Sequence, residues 1–215
     1  MTKLYIANDT CSRAVQIVAN ELGLNPELVH FDVVGKSTSN GDNFSEINPL
    51  AYVPVLALDN DSKELLSETI VIASYLADRH PGSGLAPEPG TLERAKLDQM
   101  LTFIATEIAQ KHIPLMRKLL TEEGAAWTRN KLQTAYSRLN DRLADGRTYL
   151  MGDQFTVADA YVFGTWWHTR SGAQIEHLEH LMAYKARLDK RPSVQKALSD
   201  EANVAAQHRA LLKAA

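Results

Sequence analysis

Cys11 is the only cysteine among the 215 residues, and it stands where a first strand is predicted to turn into a first helix. The residues before it, Asn8-Asp9-Thr10, favour turns and helix caps. A thiol at a helix N-terminus faces unpaired amides and the positive end of the helix dipole, which favour the thiolate and can lower its pKa to roughly 3.5–7.5. A lone cysteine can also be a small buried apolar residue, but this position favours a reactive thiol with a lowered pKa.

Three other stretches could hold the ends of a peptide-like ligand. Ser67-Glu68-Thr69 precedes a helix and is either only a helix cap, or a site that binds a carboxylate while Glu68 holds an ammonium group. Lys36 lies in an irregular segment and is either a solvated surface residue or the partner of a second carboxylate. Val53-Pro54 begins a strand. If the bond between these two residues is cis, the backbone of Val53 can pair with an extended peptide.

The overall charge and hydropathy disfavour several kinds of partner. A formal net charge of −3 gives no attraction for nucleic acid, and no run of residues approaches the roughly 20 apolar positions of a membrane span. Without a signal segment or a second cysteine, we expect a cytoplasmic protein. His177 and His180 have the spacing of a metal pair, but a solvated helix face is the simpler interpretation, so we predict no metal.

The spacing of apolar residues predicts two domains. Residues 1–80 alternate strands and helices, residues 81–90 form a linker rich in proline and glycine, and residues 91–215 show only helical periodicity. The elements predicted for the first domain are strands at 4–7, 28–33, 53–58 and 64–66, a hairpin turn at 59–62, and helices at 12–22 and 70–77. The second domain is therefore predicted to be all helix.

One helix of the second domain has a clear start signal. Thr156 and Asp159 form an acidic variant of the capping box, which predicts a buried helix from Val157 to about Arg170. Its run Trp166-Trp167-His168 cannot all face one way, so at least one of these aromatic residues is expected in the core.

Together these stretches resemble the cytosolic glutathione transferases, and within them the bacterial beta class. The matching residues are Lys3-Leu4-Tyr5, Cys11-Ser12, Asn48-Pro49, Val53-Pro54, Ser67-Glu68-Thr69, Tyr75-Leu76-Ala77-Asp78 and 155–161. The resemblance implies an α/β thioredoxin-like N-terminal domain that binds glutathione and an all-α C-terminal domain that contributes the electrophile site. It also implies a homodimer with one glutathione, as co-substrate, in each subunit.

The resemblance assigns roles to individual residues. Cys11 would lie beside the glutathione sulfur, with Ser12 helping to ionise it. Val53, followed by Pro54, would pair with the cysteinyl backbone of glutathione. Glu68 with Thr69 would hold the γ-glutamyl end, and Lys36 would meet the glycine carboxylate.

The chain departs from the beta-class pattern at two places in the helical domain. Ala109-Gln110 stands where the class often carries His-Lys near the thiol, and His112, about one turn farther, is a predicted substitute. A tryptophan common near the acceptor pocket appears as His168, with Trp166 just before it. We therefore predict that His112, Trp166 and His168 contact the substrate.

The expected function is conjugation of the glutathione thiolate to small hydrophobic electrophiles, by proximity and by electrostatic stabilisation of sulfur. Two alternatives remain open. One is glutathione-dependent reduction of disulfides or peroxides with Cys11 as nucleophile. The other is a non-catalytic binding or regulatory protein on the same fold.

Overall fold

A computed structural model describes residues 2–59 and 64–214, which form two compact units. The first unit comprises Met1–Ser83 and Arg191–Ala215, and the second comprises Gly84–Lys190. The predicted division placed all of 91–215 in one helical domain. It differs from the observed units because the last helix packs against the first helix and the second strand.

The first unit contains a five-stranded sheet with the order β3-β2-β1-β4-β5. The strands are β1 Lys3–Ile6, β2 Glu27–Asp32, β3 Ser37–Thr38, β4 Val55–Ala57 and β5 Leu65–Ser67. β1 and β2 are parallel, and the remaining neighbours are antiparallel. The predicted hairpin is confirmed as the β4–β5 pair, whereas residues 60–62 of its predicted turn lie outside the described residues.

Alternating apolar residues on these strands form a core on one face of the sheet. Tyr5, Val29, Phe31 and Val55 are buried there together with Phe44 of a short helix. The rings of Phe31 and Phe44 stack with their centroids 4.1 Å apart. This core packs β1, β2 and β4 together with α2, and the candidate site lies at the ends of β1 and β4.

Four helices complete the first unit: α1 Ser12–Glu21, α2 Phe44–Ile47, α3 Thr69–Asp78 and α10 Pro192–Ala214. α10 runs antiparallel to α1. Arg191 and Ser193, at the start of α10, contact Glu21 at the end of α1, and Glu201 contacts Arg13 at its start. This sheet and its helices confirm the thioredoxin-like fold expected for the N-terminal domain.

Among the described residues of the second unit, all regular elements are helices, apart from an isolated bridge between Tyr149 and Gly152. Its helices are α4 Leu92–Phe103, α5 Gln110–Met116, α6 Glu122–Leu143, α7 Val157–Gly164, α8 His168–Ser171 and α9 Glu179–Asp189, with a π-helical segment at Ile104–Ala109. None of the helices in 2–59 and 64–214 is long and apolar enough to cross a membrane.

The capping box of α7 is confirmed, but the predicted length of this helix is wrong. The amide and the hydroxyl of Thr156 both donate to Asp159, at 2.8 and 3.0 Å. The helix ends at Gly164, because the Thr165 backbone leaves helical geometry and its hydroxyl donates back to the Tyr161 carbonyl at 2.9 Å. A separate helix, α8, begins at His168.

Candidate functional site

The Cys11 thiol lies against the start of strand β4. Its Sγ is 3.5 Å from the carbonyl oxygen of Val53, a residue 42 positions away in sequence, and the thiol donates to that oxygen. The Val53–Pro54 bond is cis, the isomer on which the predicted pairing of the Val53 backbone with a peptide depends. The structure therefore brings the thiol and the expected peptide-binding backbone together.

The pKa of Cys11 is raised, which contradicts the predicted lowered value. Burial of the thiol is the largest cause, because desolvation disfavours the thiolate. A hydrogen bond with the Thr69 hydroxyl and the backbone at the helix start act in the opposite direction, but they are smaller, and the charge of Glu68 adds to the increase. At neutral pH the thiol is consequently protonated.

The Ser12 side chain faces inward, so the predicted direct catalytic role is not supported. The side chain is fully buried, and its hydroxyl lies 2.7 Å from the Thr10 hydroxyl and 3.3 Å from both the amide and the carbonyl of Ala7. These contacts join the end of β1 to the start of α1. Ser12 therefore fixes the turn that carries Cys11 and does not present a free hydroxyl.

The Val53 backbone offers a peptide both an amide and a carbonyl. Within 2–59 and 64–214 no group pairs with the Val53 amide, and its carbonyl accepts only the Cys11 thiol. The side chain packs against the sheet core, and Pro54 is buried, so the backbone is held at a fixed position. One additional backbone pairing is thus available just before β4, next to the thiol.

Glu68 and Thr69 lie at the start of α3. Glu68 is exposed and has a φ of +70°, a backbone region that non-glycine residues rarely adopt. Thr69 is buried, and its side chain is among the groups that lower the pKa of the Cys11 thiol. Backbone outliers of this kind persist where the surrounding structure holds them, and they concentrate at ligand-binding sites.

Lys36 lies between β2 and β3. It is exposed, its φ is +58°, and its amide donates to the Asp32 carbonyl at 2.8 Å. Its ammonium lies 5.8 Å from the centroid of the Phe31 ring. The cation is therefore at the surface of the first unit, as the predicted carboxylate contact requires.

A set of contacts from Glu201 to Arg13 and Asp9, called the clamp below, was not predicted. Glu201 of α10 is 3% exposed, and its carboxylate accepts two hydrogen bonds from Arg13, at 2.7 and 3.1 Å. It also accepts the Asp9 amide at 2.5 Å, where Asp9 has a φ of +54°. Glu201 therefore binds the turn on both sides of Cys11, at Asp9 before it and at Arg13 after it.

A sequence signal for the clamp exists. Glu201 falls at helical spacing within a stripe of buried residues on α10: Val194, Ala197, Ala205 and His208. A carboxylate in such a stripe requires a buried partner. The stripe is hard to recognise from sequence because the alanine-rich end of the chain shows little contrast between apolar and polar faces.

His112 is enclosed within the second unit. It is fully buried, with Nδ1 2.8 Å from the Ser171 hydroxyl and Nε2 2.9 Å from the Tyr136 hydroxyl. Both ring nitrogens are thus occupied. The predicted substrate contact of His112 has no support in this geometry, because contact would require both hydrogen bonds to break.

Trp166 and His168 lie at the junction of α7 and α8. The Trp166 indole N–H and the His168 Nδ1 have no hydrogen-bond partner in the described part of the chain, and burial lowers the pKa of His168. Their rings are 6.3 Å apart in an edge-on arrangement, and Trp166 also contacts the Tyr136 ring at 5.8 Å. Of the three aromatic neighbours, Trp167 is the most buried, as the prediction of at least one core residue required.

The departure at Ala109-Gln110 coincides with a change of helical geometry. Ala109 is buried and ends the π-helical segment, and Gln110 is exposed and starts α5. Among residues 2–59 and 64–214, no group of three or more His, Cys, Asp or Glu side chains has a geometry that could hold a metal ion.

Comparison with known proteins covers both units. A family model described as the glutathione S-transferase N-terminal domain matches residues 10–79, and one described as the C-terminal domain matches residues 121–193. The chain is 36% identical to the glutathione S-transferase GstA of Escherichia coli O157:H7 over 93% of this chain and 98% of that one.

Two solved structures of bacterial relatives are also similar. One is a sphingomonad glutathione S-transferase complexed with glutathione, with a TM-score of 0.85, 34% identity and coverage of 93% of this chain and 98% of that chain. The other is the beta-class glutathione S-transferase of Sphingomonas chungbukensis, with a TM-score of 0.84, 34% identity and the same coverage.

Proposed function

The chain belongs to the glutathione S-transferase family, and from that premise we propose that it conjugates the thiolate of bound glutathione to small hydrophobic electrophiles. The observation that carries the proposal is the position of the Cys11 thiol. It lies 3.5 Å from the Val53 carbonyl, and Thr69 at the start of α3 acts on its pKa, so a thiol, a peptide-pairing backbone and a helix start meet at one place.

Glutathione is proposed to bind as an added strand beside Val53. The amide and carbonyl of Val53 pair with the cysteinyl residue, which brings the glutathione sulfur to the Cys11 turn. Glu68 binds the ammonium group of the γ-glutamyl end, and the amides and hydroxyl at the start of α3 bind its carboxylate. Lys36 neutralises the glycine carboxylate. The complex of the sphingomonad relative with glutathione supports the choice of ligand.

The nucleophile is the glutathione sulfur and not Cys11. Because burial raises the pKa of Cys11, its thiol remains protonated. When the Val53 carbonyl pairs with glutathione, the S–H leaves that oxygen and donates to the glutathione thiolate. In the reaction, glutathione loses its proton to solvent, and its sulfur then attacks the electrophilic carbon. A carbon–sulfur bond forms as the bond to the leaving group breaks, and the leaving group takes the electron pair of that bond.

Trp166 and His168 are proposed to contact the electrophile. Aromatic rings provide apolar area for a hydrophobic acceptor. His112 is not included, since both of its nitrogens are occupied by Ser171 and Tyr136.

A homodimer is proposed as the assembled form. The first unit exposes several large apolar side chains: Leu50 at 68%, Tyr52 at 57%, Val71 at 50% and Leu65 at 45%. Exposed apolar area of this kind supports an interface between two copies. Sedimentation of the purified protein tests it, and a monomer at micromolar concentration would overturn it.

Two assays under identical conditions test the proposed reaction: glutathione with an aryl halide, and glutathione with a mixed disulfide of glutathione. We expect conjugation of the aryl halide by wild type and by the Cys11→Ala variant, with a reduced rate in the variant. Dominant disulfide reduction that disappears in Cys11→Ala would instead establish the reductase alternative. Absence of glutathione binding in calorimetry would favour a non-catalytic role.

A further inference from the structure

Two buried histidines face each other in the first unit, and the proposed reaction uses neither. His30 is on β2 and His208 is on α10, and they are 7% and 2% exposed. Their Nδ1 atoms are 2.9 Å apart, and the ring planes meet at 74°. Two residues separated by 178 positions are therefore joined by one hydrogen bond between their imidazole rings.

The hydrogen bond exists only in some protonation states. One Nδ1 must carry the hydrogen and the other must provide its lone pair. The neutral pair satisfies this, and so does the pair with one added proton. A second added proton puts hydrogens on both Nδ1 atoms, so the bond is lost and two like charges are left in a buried site.

The charged groups around the pair come from the same two elements. Burial is the main reason that the pKa of His30 is lowered; the charge of His208 and, more weakly, that of Arg209 act in the same direction, while Asp32 of β2 opposes them. Asp32 itself is anchored by the backbone amides of Val34 and Gly35. The neutral form is therefore favoured, and acid must act against burial and two cations to charge both rings.

The pair contacts the segment that carries Lys36. Nε2 of His208 is 3.3 Å from the hydroxyl of Ser37, the residue directly after Lys36. The backbone of His30 pairs with the same segment, because its amide donates to the Ser39 hydroxyl at 3.0 Å and its carbonyl accepts the Ser39 amide at 2.8 Å. β3 contains only two residues, so these contacts are a large part of what holds it.

We propose that His208 is a positioning residue for the Lys36 segment, and that a second proton on the His30–His208 pair releases this segment and weakens glutathione binding. The inference rests on the proposed role of Lys36 at the glycine carboxylate. Since the pKa of His30 is lowered on folding, its neutral form stabilises the fold above about pH 6.5, and that stabilisation is lost as the pH falls through the lowered pKa.

Glutathione affinity at two pH values tests the proposal. The ligand is S-methylglutathione, whose sulfur cannot ionise on binding. Between about pH 7.0 and pH 5.5 its carboxylates keep their charge, since their pKa values lie near 3.5. We expect the Kd of wild type to rise about tenfold over this interval, the change produced by one unit of pKa difference between free and bound protein. His208→Asn can hydrogen-bond but cannot titrate here, so its Kd should change by less than about twofold.

The matched control is His80→Asn. His80 is the third histidine of the same unit, and its Nδ1 contacts only the Leu76 carbonyl among the groups described. This variant should keep the pH dependence of wild type. If His208→Asn also keeps it, the proposed positioning role is wrong.

Hydrogen exchange of wild type without glutathione tests the release of the segment independently. Lowering the pH over the same interval should increase the opening of amides 36–39 and of the end of α10, after correction for intrinsic exchange, while β1 stays protected. Unchanged protection of 36–39 would overturn the inference even if glutathione binds. Loss of that protection without any glutathione binding would overturn the proposed function and leave the release of the segment established.

Discussion

The carboxylate of Glu201 and the guanidinium of Arg13 form a buried ion pair that joins residues 188 positions apart. The same carboxylate accepts the Asp9 amide, so a single side chain of α10 fixes the strand-to-helix turn in which Cys11 lies. At the other end of the same pair of helices, Glu21 accepts hydrogen bonds from Arg191 and Ser193. The two carboxylates therefore make similar contacts at opposite ends of α1.

We predict that Glu201→Gln loosens the Cys11 turn. Removing the Glu201 charge leaves Arg13 with only its longer contact to Asp9, at 3.5 Å, and should lower the free energy of unfolding by roughly 3 kcal/mol. Solvent then reaches the thiol, so its alkylation by iodoacetamide should accelerate several-fold under native conditions. Denaturant unfolding and the labelling rate are the two measurements, and labelling is unambiguous because Cys11 is the only cysteine.

Glu21→Gln is the control for this prediction. It removes a comparable contact between α1 and α10 but lies far along α1 from the thiol. It should lower stability while leaving the Cys11 labelling rate unchanged. Equal acceleration in both variants would mean that general loosening of α10, and not the clamp, controls access to the thiol.

The raised pKa of Cys11 leads to a second prediction. The rate of alkylation should still increase above about pH 8.5, the ordinary thiol pKa, instead of levelling off near neutrality. Replacing Thr69 by Val removes a hydrogen bond that lowers this pKa, so labelling at neutral pH should be slower, and Thr69→Ser should restore it. A rate that is already constant from pH 7 upward would contradict the protonated thiol.

Stability should follow the same pKa with the corresponding sign. A thiol whose pKa is higher in the folded than in the unfolded state contributes stability that is present below the unfolded value and lost as the pH rises toward the folded one. The difference in unfolding free energy between wild type and Cys11→Ala should therefore decrease above about pH 8.5. Chemical denaturation across this range measures it.

The sequence predicted the alternating elements of the first unit well because each relies on local information. Val29 and Phe31 alternate with polar neighbours on β2, and Gly23 follows α1 with a φ of +66°. The resemblance then placed Cys11 and Val53 at the same cysteinyl residue of glutathione, a proximity that local pattern alone does not specify. Their contact depends on the sheet order, a property of the whole unit.

The differences between expectation and structure share one physical origin, which is burial created by tertiary packing. The backbone at the start of α1 does lower the pKa of Cys11, as the sequence predicted, but desolvation of the thiol raises the pKa by more. Ser12 and His112 were predicted to act on the ligand because of their polar side chains. Both are fully buried, and their polar atoms are paired inside the protein. Local sequence reports which groups a residue carries, whereas burial depends on residues distant in sequence.

Glu68 gives a third prediction, in which stability and binding change in opposite directions. A φ of +70° is unfavourable for glutamate but not for glycine, so Glu68→Gly should raise the unfolding free energy by up to about 1 kcal/mol. The same variant should bind glutathione about tenfold or more weakly, since an ionic hydrogen bond contributes roughly 1.5–3 kcal/mol. Calorimetry and denaturant unfolding of one variant test both statements.

Glu68→Gln separates the charge from the backbone conformation. It should weaken glutathione binding while leaving stability near that of wild type, because the backbone strain remains. Glu46→Gln, an exposed carboxylate on α2 that accepts the Asn43 side chain, is the control and should change neither quantity by much. Unaltered affinity in Glu68→Gln would remove Glu68 from the proposed binding site.

The last prediction concerns His112 and distinguishes a structural role from a substrate contact. Burial, with smaller effects from His168 and Arg170, lowers the pKa of His112 to about 3, so it stays neutral and holds the hydroxyls of Ser171 and Tyr136. A lowered histidine pKa gives stability that is full above about pH 6.5 and declines as the pH falls toward 3.

His112→Asn should therefore destabilise the protein near pH 7 by about 2 kcal/mol, because one of the two hydroxyls is left without its partner. The difference from wild type should shrink as the pH falls below 6.5. His180→Asn, at an exposed position on α9, should leave stability unchanged. The KM for glutathione and for the aryl halide should stay near the wild-type values in both variants. An increase in the KM for the aryl halide in His112→Asn, at full folding, would instead mean that the ring leaves its two hydroxyl partners to contact the substrate.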